Sequence, residues 1–164
     1  DVPFGIGSGS GVIFGVTGGV TEAVLRRLQQ GHNRVDMESI KKSGVRGDDG
    51  IKVLTYNYNG REIKAAVVNG LANADKVLQQ IKNHEAEYDF VEVMACPGGC
   101  VGGGGQPILD GVEMADVRGP KLYKLDSQRP LRFSHDNPEI IKLYEEYLEK
   151  PLGEKSHHLL HTHG

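Results

Sequence analysis

The sequence is short of cysteine and of long apolar runs, and each shortage excludes a class of protein. Only two cysteines, Cys96 and Cys100, occur in 164 residues, so a framework of disulfides is excluded. No segment approaches the roughly 20 apolar residues that a membrane-spanning helix needs, and the first residues lack the basic and apolar regions of an export signal. We therefore expect a cytoplasmic protein that does not enter a membrane.

Positive charge is also scarce. The 19 Lys and Arg residues are outnumbered by 22 Asp and Glu residues, which gives a net charge of -3. Because nucleic acids are bound chiefly through basic surfaces, we expect no nucleic-acid partner. The length fits one domain, so we expect residues 1–164 to form a single unit. The chain begins at Asp1 without a methionine, which indicates a fragment of something longer.

Glycine is the residue in excess, with 23 in the chain, about twice the usual share of roughly 7%. The excess is concentrated in two stretches, Gly5 to Gly19 and Gly98 to Gly105. Glycine permits backbone conformations and close approaches that a Cβ forbids. We therefore interpret both stretches as loops built for a function.

The strands are predicted by β-branched and aromatic runs. Residues 51–57 and 62–69 flank Asn59-Gly60, the dipeptide typical of a tight hairpin turn, so we expect an antiparallel pair. Residues 88–95 become nearly all apolar toward their end, as expected for a strand that enters a buried sheet.

The helices are predicted by apolar residues at helical spacing. Helices are expected over residues 17–30, 71–84 and 138–149, a weaker helix interrupted at Gly119-Pro120 over 111–129, and a short helix or extended arm over 154–164. In the second helix we expect Leu71, Ala74, Val77, Leu78 and Ile81 to share the packed face. The order of elements predicts an α/β fold, a sheet flanked by helices, with a β-hairpin and a helical C-terminus.

The two thiols follow the last predicted strand, in the run Cys96-Pro-Gly-Gly-Cys100. The carboxyl end of a strand in an α/β sheet is where such folds place their ligands. Gly98 and Gly99 would let the backbone fold around one object and direct N–H groups at it, so that object should be negatively charged. A thiolate-bound iron–sulfur cluster fits this chemistry. A zinc site completed by histidines, a redox dithiol and two incidental cysteines remain open on these grounds.

The residues around the thiols carry a family resemblance. The run MACPGGCVGGGGQP resembles the third cysteine signature of the iron-only (di-iron) hydrogenases, and PFGIGSGSGVIFGVTGGVTEAVLR resembles the segment that precedes it in that family. The tail HHLLHTHG also resembles a hydrogenase C-terminus. The resemblance covers essentially the whole chain and implies one lobe of the hydrogenase catalytic domain.

The resemblance implies a role for each site residue. It makes Cys96 a ligand of a 4Fe-4S cubane, and it makes Cys100 the bridge from that cubane to a di-iron subcluster. It places Met94 beside the di-iron unit and Phe14 in a wall around the cluster. The remaining cofactor-binding residues that it implies are Gly98, Gly99 and Gln106. The reaction implied is the reversible reduction of protons to dihydrogen.

The resemblance also implies what the chain needs from elsewhere. A cubane takes four protein ligands, and the two earlier cysteine signatures of the family do not occur in this sequence. We therefore expect the isolated chain to be inactive without its cofactor, with the N-terminal part of the hydrogenase or another subunit as partner. The electron partner implied is ferredoxin or an NAD(P)-linked carrier. The alternatives are a hydrogenase-like protein of iron–sulfur cluster assembly and a hydrogenase-derived sensor.

Overall fold

The computed structural model describes residues 4–29, 46 and 50–162. Three strands form one sheet: β1 is Ile51–Tyr58, β2 is Arg61–Asn69 and β3 is Phe90–Met94. The strand order is β1-β2-β3, with β1 antiparallel and β3 parallel to β2. Asn59 and Gly60, at φ +51° and +80°, make the hairpin turn between β1 and β2. The predicted hairpin and the predicted third strand are both confirmed.

Six α-helices occur in the part of the chain that the structure describes. They are α1 Gly9–Ile13, α2 Gly19–Gln29, α3 Leu71–Lys82, α4 Ala115–Gln128, α5 Pro138–Leu143 and α6 Glu154–Leu160. The helix of α5 continues as one π-helical turn over Tyr144–Leu148. None of these described helices has both the length and the apolar composition to cross a bilayer.

The core lies on both faces of β2, which is the central strand. On one face Leu25 of α2 packs with Leu54, Ala65 and Val67. On the other face Ala74 and Val77 of α3 pack with Ala66 and Val68. Alternate residues of β2 therefore enter opposite layers, since successive side chains of a strand point to opposite faces. The predicted α/β architecture, a sheet flanked by helices, is confirmed.

A third apolar cluster joins the two glycine-rich segments to α4. Ile13, Val16 and Val101 are buried there, with Ala115, Leu122 and Tyr123 packed against them. This cluster lies beyond the sheet, so it fixes the loop that carries the thiols to the first segment and to a helix more than ten residues further along the chain.

One loop prediction and one helix prediction were wrong. The first glycine-rich stretch is not only loop, because it contains α1, whose first turn is capped when the Gly11 N–H donates to Ser8 Oγ at 3.2 Å. Likewise, α4 runs without a break through Gly119-Pro120. Proline removes one backbone hydrogen bond there. The packing of α4 into the third apolar cluster on both sides of that point outweighs the loss.

The helix α3 forms as predicted, but its predicted packed face is only partly covered. Ala74 and Val77 are buried, whereas Leu71, Leu78 and Ile81 are 67%, 60% and 37% exposed. The helical period alone therefore identified an apolar stripe that is wider than the contact that α3 makes with the sheet.

Candidate functional site: the thiol loop

The two cysteines lie in one loop at the carboxyl end of β3. We call residues 95–107 the thiol loop. Met94 ends the strand, Cys96 is partly buried two residues later, and Cys100 is exposed at the start of a single 3₁₀ turn, Cys100–Gly102. The loop folds back so that a Cβ on Gly103 would lie 3.5 Å from the Cys96 sulfur. The glycine run thus passes alongside the first thiol.

Gly98 and Gly99 make the tight part of the thiol loop. Both have positive φ, +74° and +93°, which is the conformation that L side chains rarely adopt. A Cβ on Gly99 would also stand 2.8 Å from the Gly15 carbonyl oxygen and 2.8 Å from the Thr17 nitrogen. Gly99 therefore meets both a conformational and a steric requirement for the close approach of two backbones.

The thiol loop is hydrogen-bonded to the first glycine-rich segment. The Thr17 N–H donates to the Gly98 carbonyl at 3.1 Å, and the Val101 N–H donates to the Gly15 carbonyl at 3.0 Å. These reciprocal backbone bonds make one cradle from two segments that are more than 80 residues apart in sequence. The two glycine-rich stretches that the sequence singles out are therefore in direct contact.

Substituting Gly99 by alanine should disrupt this cradle. The added methyl would have to move the backbone of residues 15–17 while the residue keeps positive φ, so we expect a loss of roughly 1–3 kcal/mol in the free energy of unfolding. Gly104→Ala is the matched control, because a Cβ there would meet nothing within 4 Å. Urea denaturation of both variants checks the difference, and equal midpoints would show that the close approach is not required.

An arginine of α4 closes the second half of the thiol loop. The Arg118 guanidinium donates to the Val101 carbonyl at 3.1 Å and to the Pro107 carbonyl. Beneath it lies a cavity of about 230 Å³, lined by the glycine run, Gln106, Met114 and Arg118. The Gln106 side chain is exposed, and its backbone N–H donates to the Gly103 carbonyl. The backbone of Gln106 is therefore held within the thiol loop, and its exposed side chain can contact a group outside the chain.

Met94 and Phe14 lie at the edges of the cradle. Met94 is partly buried, and its carbonyl accepts a hydrogen bond from the Gly70 N–H at 2.7 Å. Phe14 is 43% exposed and lines a cavity with Val20 and Phe133. Phe14 adjoins Gly15, whose carbonyl is bonded to the thiol loop. The assignment of Phe14 as a wall residue and of Met94 as a neighbour of the di-iron unit stays a prediction.

A buried carboxylate that the sequence reasoning missed holds α2 against β3. Glu92 is 4% exposed, and it accepts hydrogen bonds from the Gly18 N–H, the Thr21 N–H and the Thr21 hydroxyl, each at 2.7 Å. Glu92 thus caps the start of α2 from a different element, which suits the positive end of the helix dipole. This contact explains why the helix begins at Gly19 and not at the predicted Thr17. An acidic residue in an otherwise apolar strand was the available signal.

A network of buried ion pairs fixes α2 to α4. Arg26, which is entirely buried, donates to Glu22 at 2.7 Å and to both oxygens of Asp126 at 2.8 and 2.9 Å. Arg46 continues the network at Glu22, and Arg132 continues it at Asp126. No local pattern indicates the central pair of this network, because Arg26 and Asp126 are 100 positions apart in the sequence.

The donor set of the thiol loop fits an iron–sulfur group in kind but not in number. Thiolates are the ligands that such clusters take, and a four-iron cubane takes four of them. Within residues 4–29, 46 and 50–162, no group of three or more His, Cys, Asp or Glu side chains is placed to hold a metal. The loop therefore offers two of the four ligands.

Comparison with known proteins places the whole chain in one family. Residues 1–104 match the family model of the iron only hydrogenase large subunit, C-terminal domain, and residues 112–164 match that of the iron hydrogenase small subunit. The NADP-reducing hydrogenase subunit HndD of Solidesulfovibrio fructosivorans is 46% identical over 164 residues, which are 99% of this chain and 28% of that protein. Iron hydrogenase 1 of Clostridium pasteurianum is 40% identical over 166 residues, which are 98% of this chain and 29% of that protein.

Solved structures agree with this result. The apo [FeFe]-hydrogenase HydA1 from Chlamydomonas reinhardtii superposes with a TM-score of 0.63 at 41% identity, over 97% of this chain and 47% of that one. The chain thus spans less than half of the solved structure and less than a third of the two curated relatives. Because the large-subunit model covers well over half of its residues, the chain belongs to the family of iron-only hydrogenase large subunits, in their C-terminal region.

Proposed function

We propose that this chain is the C-terminal part of a hydrogenase catalytic domain, and that the complete protein catalyses the reversible reduction of protons to dihydrogen. The observation that carries the proposal is the position of two thiols at the end of a buried parallel strand, in a glycine cradle, within a chain of the iron-only hydrogenase family. Strand ends of this kind are where α/β sheets place their cofactors.

Cys96 and Cys100 are the residues that would hold the cofactor. We assign Cys96 as a ligand of a 4Fe-4S cubane and Cys100 as the bridge to a di-iron subcluster, the H-cluster, which supplies the electron transfer and the chemistry of dihydrogen when it is bound. Gly98 and Gly99 keep side chains away from this surface and let the backbone approach it. Met94 would pack beside the di-iron unit, Phe14 would form a wall around the cluster, and Gln106 would contact the cofactor.

The rest of the hydrogenase is the partner that this assignment requires. The described residues supply two cysteine side chains, and the curated relatives that match the chain are more than three times its length. We propose that all 164 residues form one lobe and that the isolated chain is inactive. The Arg26–Asp126 ion pair supports a single lobe, because it ties the segment matched by the large-subunit model to the segment matched by the small-subunit model.

An electron carrier and a cellular location can also be proposed for the complete protein. We propose ferredoxin or an NAD(P)-linked carrier, since one relative is an NADP-reducing hydrogenase subunit, and a cytoplasmic location. A relative described as the large subunit of a periplasmic [Fe] hydrogenase is 44% identical over 124 residues, so at least one hydrogenase relative lies outside the cytoplasm.

An assembly function is not favoured. The cytosolic iron-sulfur assembly component 3 of Rattus norvegicus is 30% identical over 151 residues, well below the 46% and 40% of the two hydrogenases. A sensory function would keep the thiolates but show little turnover. Catalytic turnover is therefore the property that separates our proposal from both alternatives.

A graft into a related hydrogenase tests the proposal. We would replace the matching segment of the Clostridium pasteurianum iron hydrogenase 1 with this chain, and in a second protein exchange only residues 90–107. We expect both grafts to evolve dihydrogen from a reduced viologen dye, because the chain supplies the ligands and cradle that the host segment supplies. A folded graft that retains the host's iron content but evolves no dihydrogen would contradict catalysis. If the long graft does not fold, hydrogen evolution by the short graft still tests whether the thiol loop supports catalysis.

A further inference from the structure

Asn69 is a buried amide at the point where the sheet meets the thiol loop. It is the last residue of β2, it is 6% exposed, and it is paired in parallel register with Met94, two residues before Cys96. Its own backbone is held on both sides: its N–H donates to the Gly50 carbonyl at 2.7 Å, and its carbonyl accepts from Asn73 Nδ2 at 2.8 Å. The base of this side chain is therefore fixed.

The amide of Asn69 spans the cradle. Its Nδ2 donates to the Thr17 hydroxyl at 2.7 Å and to the Cys96 carbonyl at 3.0 Å. The opposite orientation of the amide is chemically excluded, because the Cys96 carbonyl has no proton to donate to an amide oxygen. Both N–H groups are thus used, one on each of the two segments that form the cradle.

The Cys96 carbonyl receives two hydrogen bonds, one from Asn69 Nδ2 and one from the Gly99 N–H at 3.0 Å. A carbonyl has two lone pairs, so this group is satisfied in full. The carbonyl is fixed, and Pro97 restricts the backbone of the residue that precedes it, which is Cys96, so the backbone of Cys96 has little freedom. The direction of the Cα–Cβ bond, and with it the reach of the sulfur, follows from that backbone.

We propose that Asn69 is a positioning residue for the Cys96 thiol. Its bond to the Cys96 carbonyl aligns that group with the end of the neighbouring strand, so the sulfur is presented in one direction before any partner arrives. The ligand role of that sulfur rests on the function proposed above, whereas the positioning is a property of the chain itself.

The reactivity of the two thiols tests this assignment. The reduced chain would be treated with iodoacetamide without iron and without oxygen, and the alkylation rates of Cys96 and Cys100 compared by mass spectrometry. We expect Asn69→Ala to speed the alkylation of Cys96 relative to Cys100 by about 3- to 10-fold, the ratio to which one lost hydrogen bond corresponds. Thr17→Val is the control, because it removes one acceptor of the Asn69 amide and leaves the bond to Cys96.

A merely structural role predicts a different pattern. If Asn69 only stabilised the fold, both thiols would accelerate by the same factor, and Thr17→Val would act like Asn69→Ala; either result would overturn the assignment. Asn69→Ser is the second variant if the alanine variant does not fold, since its shorter side chain cannot serve both acceptors. The alkylation experiment contains no iron, so its result does not depend on whether the hydrogenase graft is active. Conversely, an unchanged ratio of alkylation rates would overturn the role of Asn69 and would not contradict the proposed hydrogenase function.

Discussion

Replacement of Asp126 by alanine is expected to cost about 3–5 kcal/mol in the free energy of unfolding, the usual effect of breaking a buried ion pair from one side. Asp126 is 1% exposed and accepts four hydrogen bonds, two from Arg26 and two from Arg132, all at 2.8–2.9 Å. Without it, Glu22 would be the one oppositely charged partner left to the buried Arg26 guanidinium in the part of the chain that the structure describes. Arg26 already has one buried N–H, at Nε, without a partner among the described residues.

The same contact predicts a dependence on pH. Burial opposes ionisation of Asp126, but hydrogen bonds from Arg26 and Arg132 outweigh it, so its pKa lies below the ordinary value of 3.8. A carboxylate with a lowered pKa in the folded state stabilises the fold above its unfolded pKa, and this stability is lost as the pH falls through the folded pKa. The gap in stability between the native chain and the Asp126→Ala variant should therefore be full at pH 7 and shrink below about pH 4.

Urea denaturation at pH 7 and at pH 3 measures this gap. Asp75→Ala is the matched control, because Asp75 lies exposed on α3, and we expect that change to stay within about 0.5 kcal/mol. A loss below about 1 kcal/mol for Asp126→Ala at pH 7 would show that the ion-pair network does not hold α4 to α2.

Serine in place of either Cys96 or Cys100, made in the long graft, is expected to abolish hydrogen evolution. Loss of a residue that hydrogen-bonds to a metal ligand costs about 10- to 100-fold in metal affinity or activity, and loss of a ligand itself should cost more. A hydroxyl is a poor substitute because iron–sulfur clusters are held by thiolates. Ser127→Ala, on the exposed face of α4, is the control and should leave the graft active.

The two cysteine variants should differ in what they retain. Cys100→Ser removes the proposed bridge to the di-iron subcluster and should leave part of the iron bound. Cys96→Ser removes a ligand of the cubane and leaves the proposed bridging residue in place. Iron analysis alongside the activity assay checks both. Full activity in either variant would mean that the sulfur in question is not a ligand.

The sequence predicted those parts of the fold that local patterns decide. Asn59-Gly60 marked the hairpin, and the apolar run before Cys96 marked the buried strand, because turn chemistry and burial leave a signal in consecutive residues. The thiol loop was located in the same way, since both thiols and their glycines lie in one short run, and its role as a cofactor site stays a prediction.

The features that the sequence did not reveal depend on distant residues. Pro120 suggested a break in α4, but packing against Val16 and Val101 holds the helix together. Nothing local pairs Arg26 with Asp126, or Asn69 with Cys96, because each pair is defined only after the chain has folded. Hydrogen bonds and ion pairs between buried polar residues that are distant in sequence could therefore be identified only from the structure.

The most direct test of the account is the number of irons that this chain holds by itself. The reduced chain would be reconstituted anaerobically with ferrous iron and sulfide, separated by gel filtration, and analysed for iron and protein. Because the thiol loop contains two cysteines and a cubane takes four thiolate ligands, we predict that the monomer does not retain four irons, whereas the long graft does. Stable binding of four irons by the isolated monomer would contradict the claim that the other half of the site lies outside this chain.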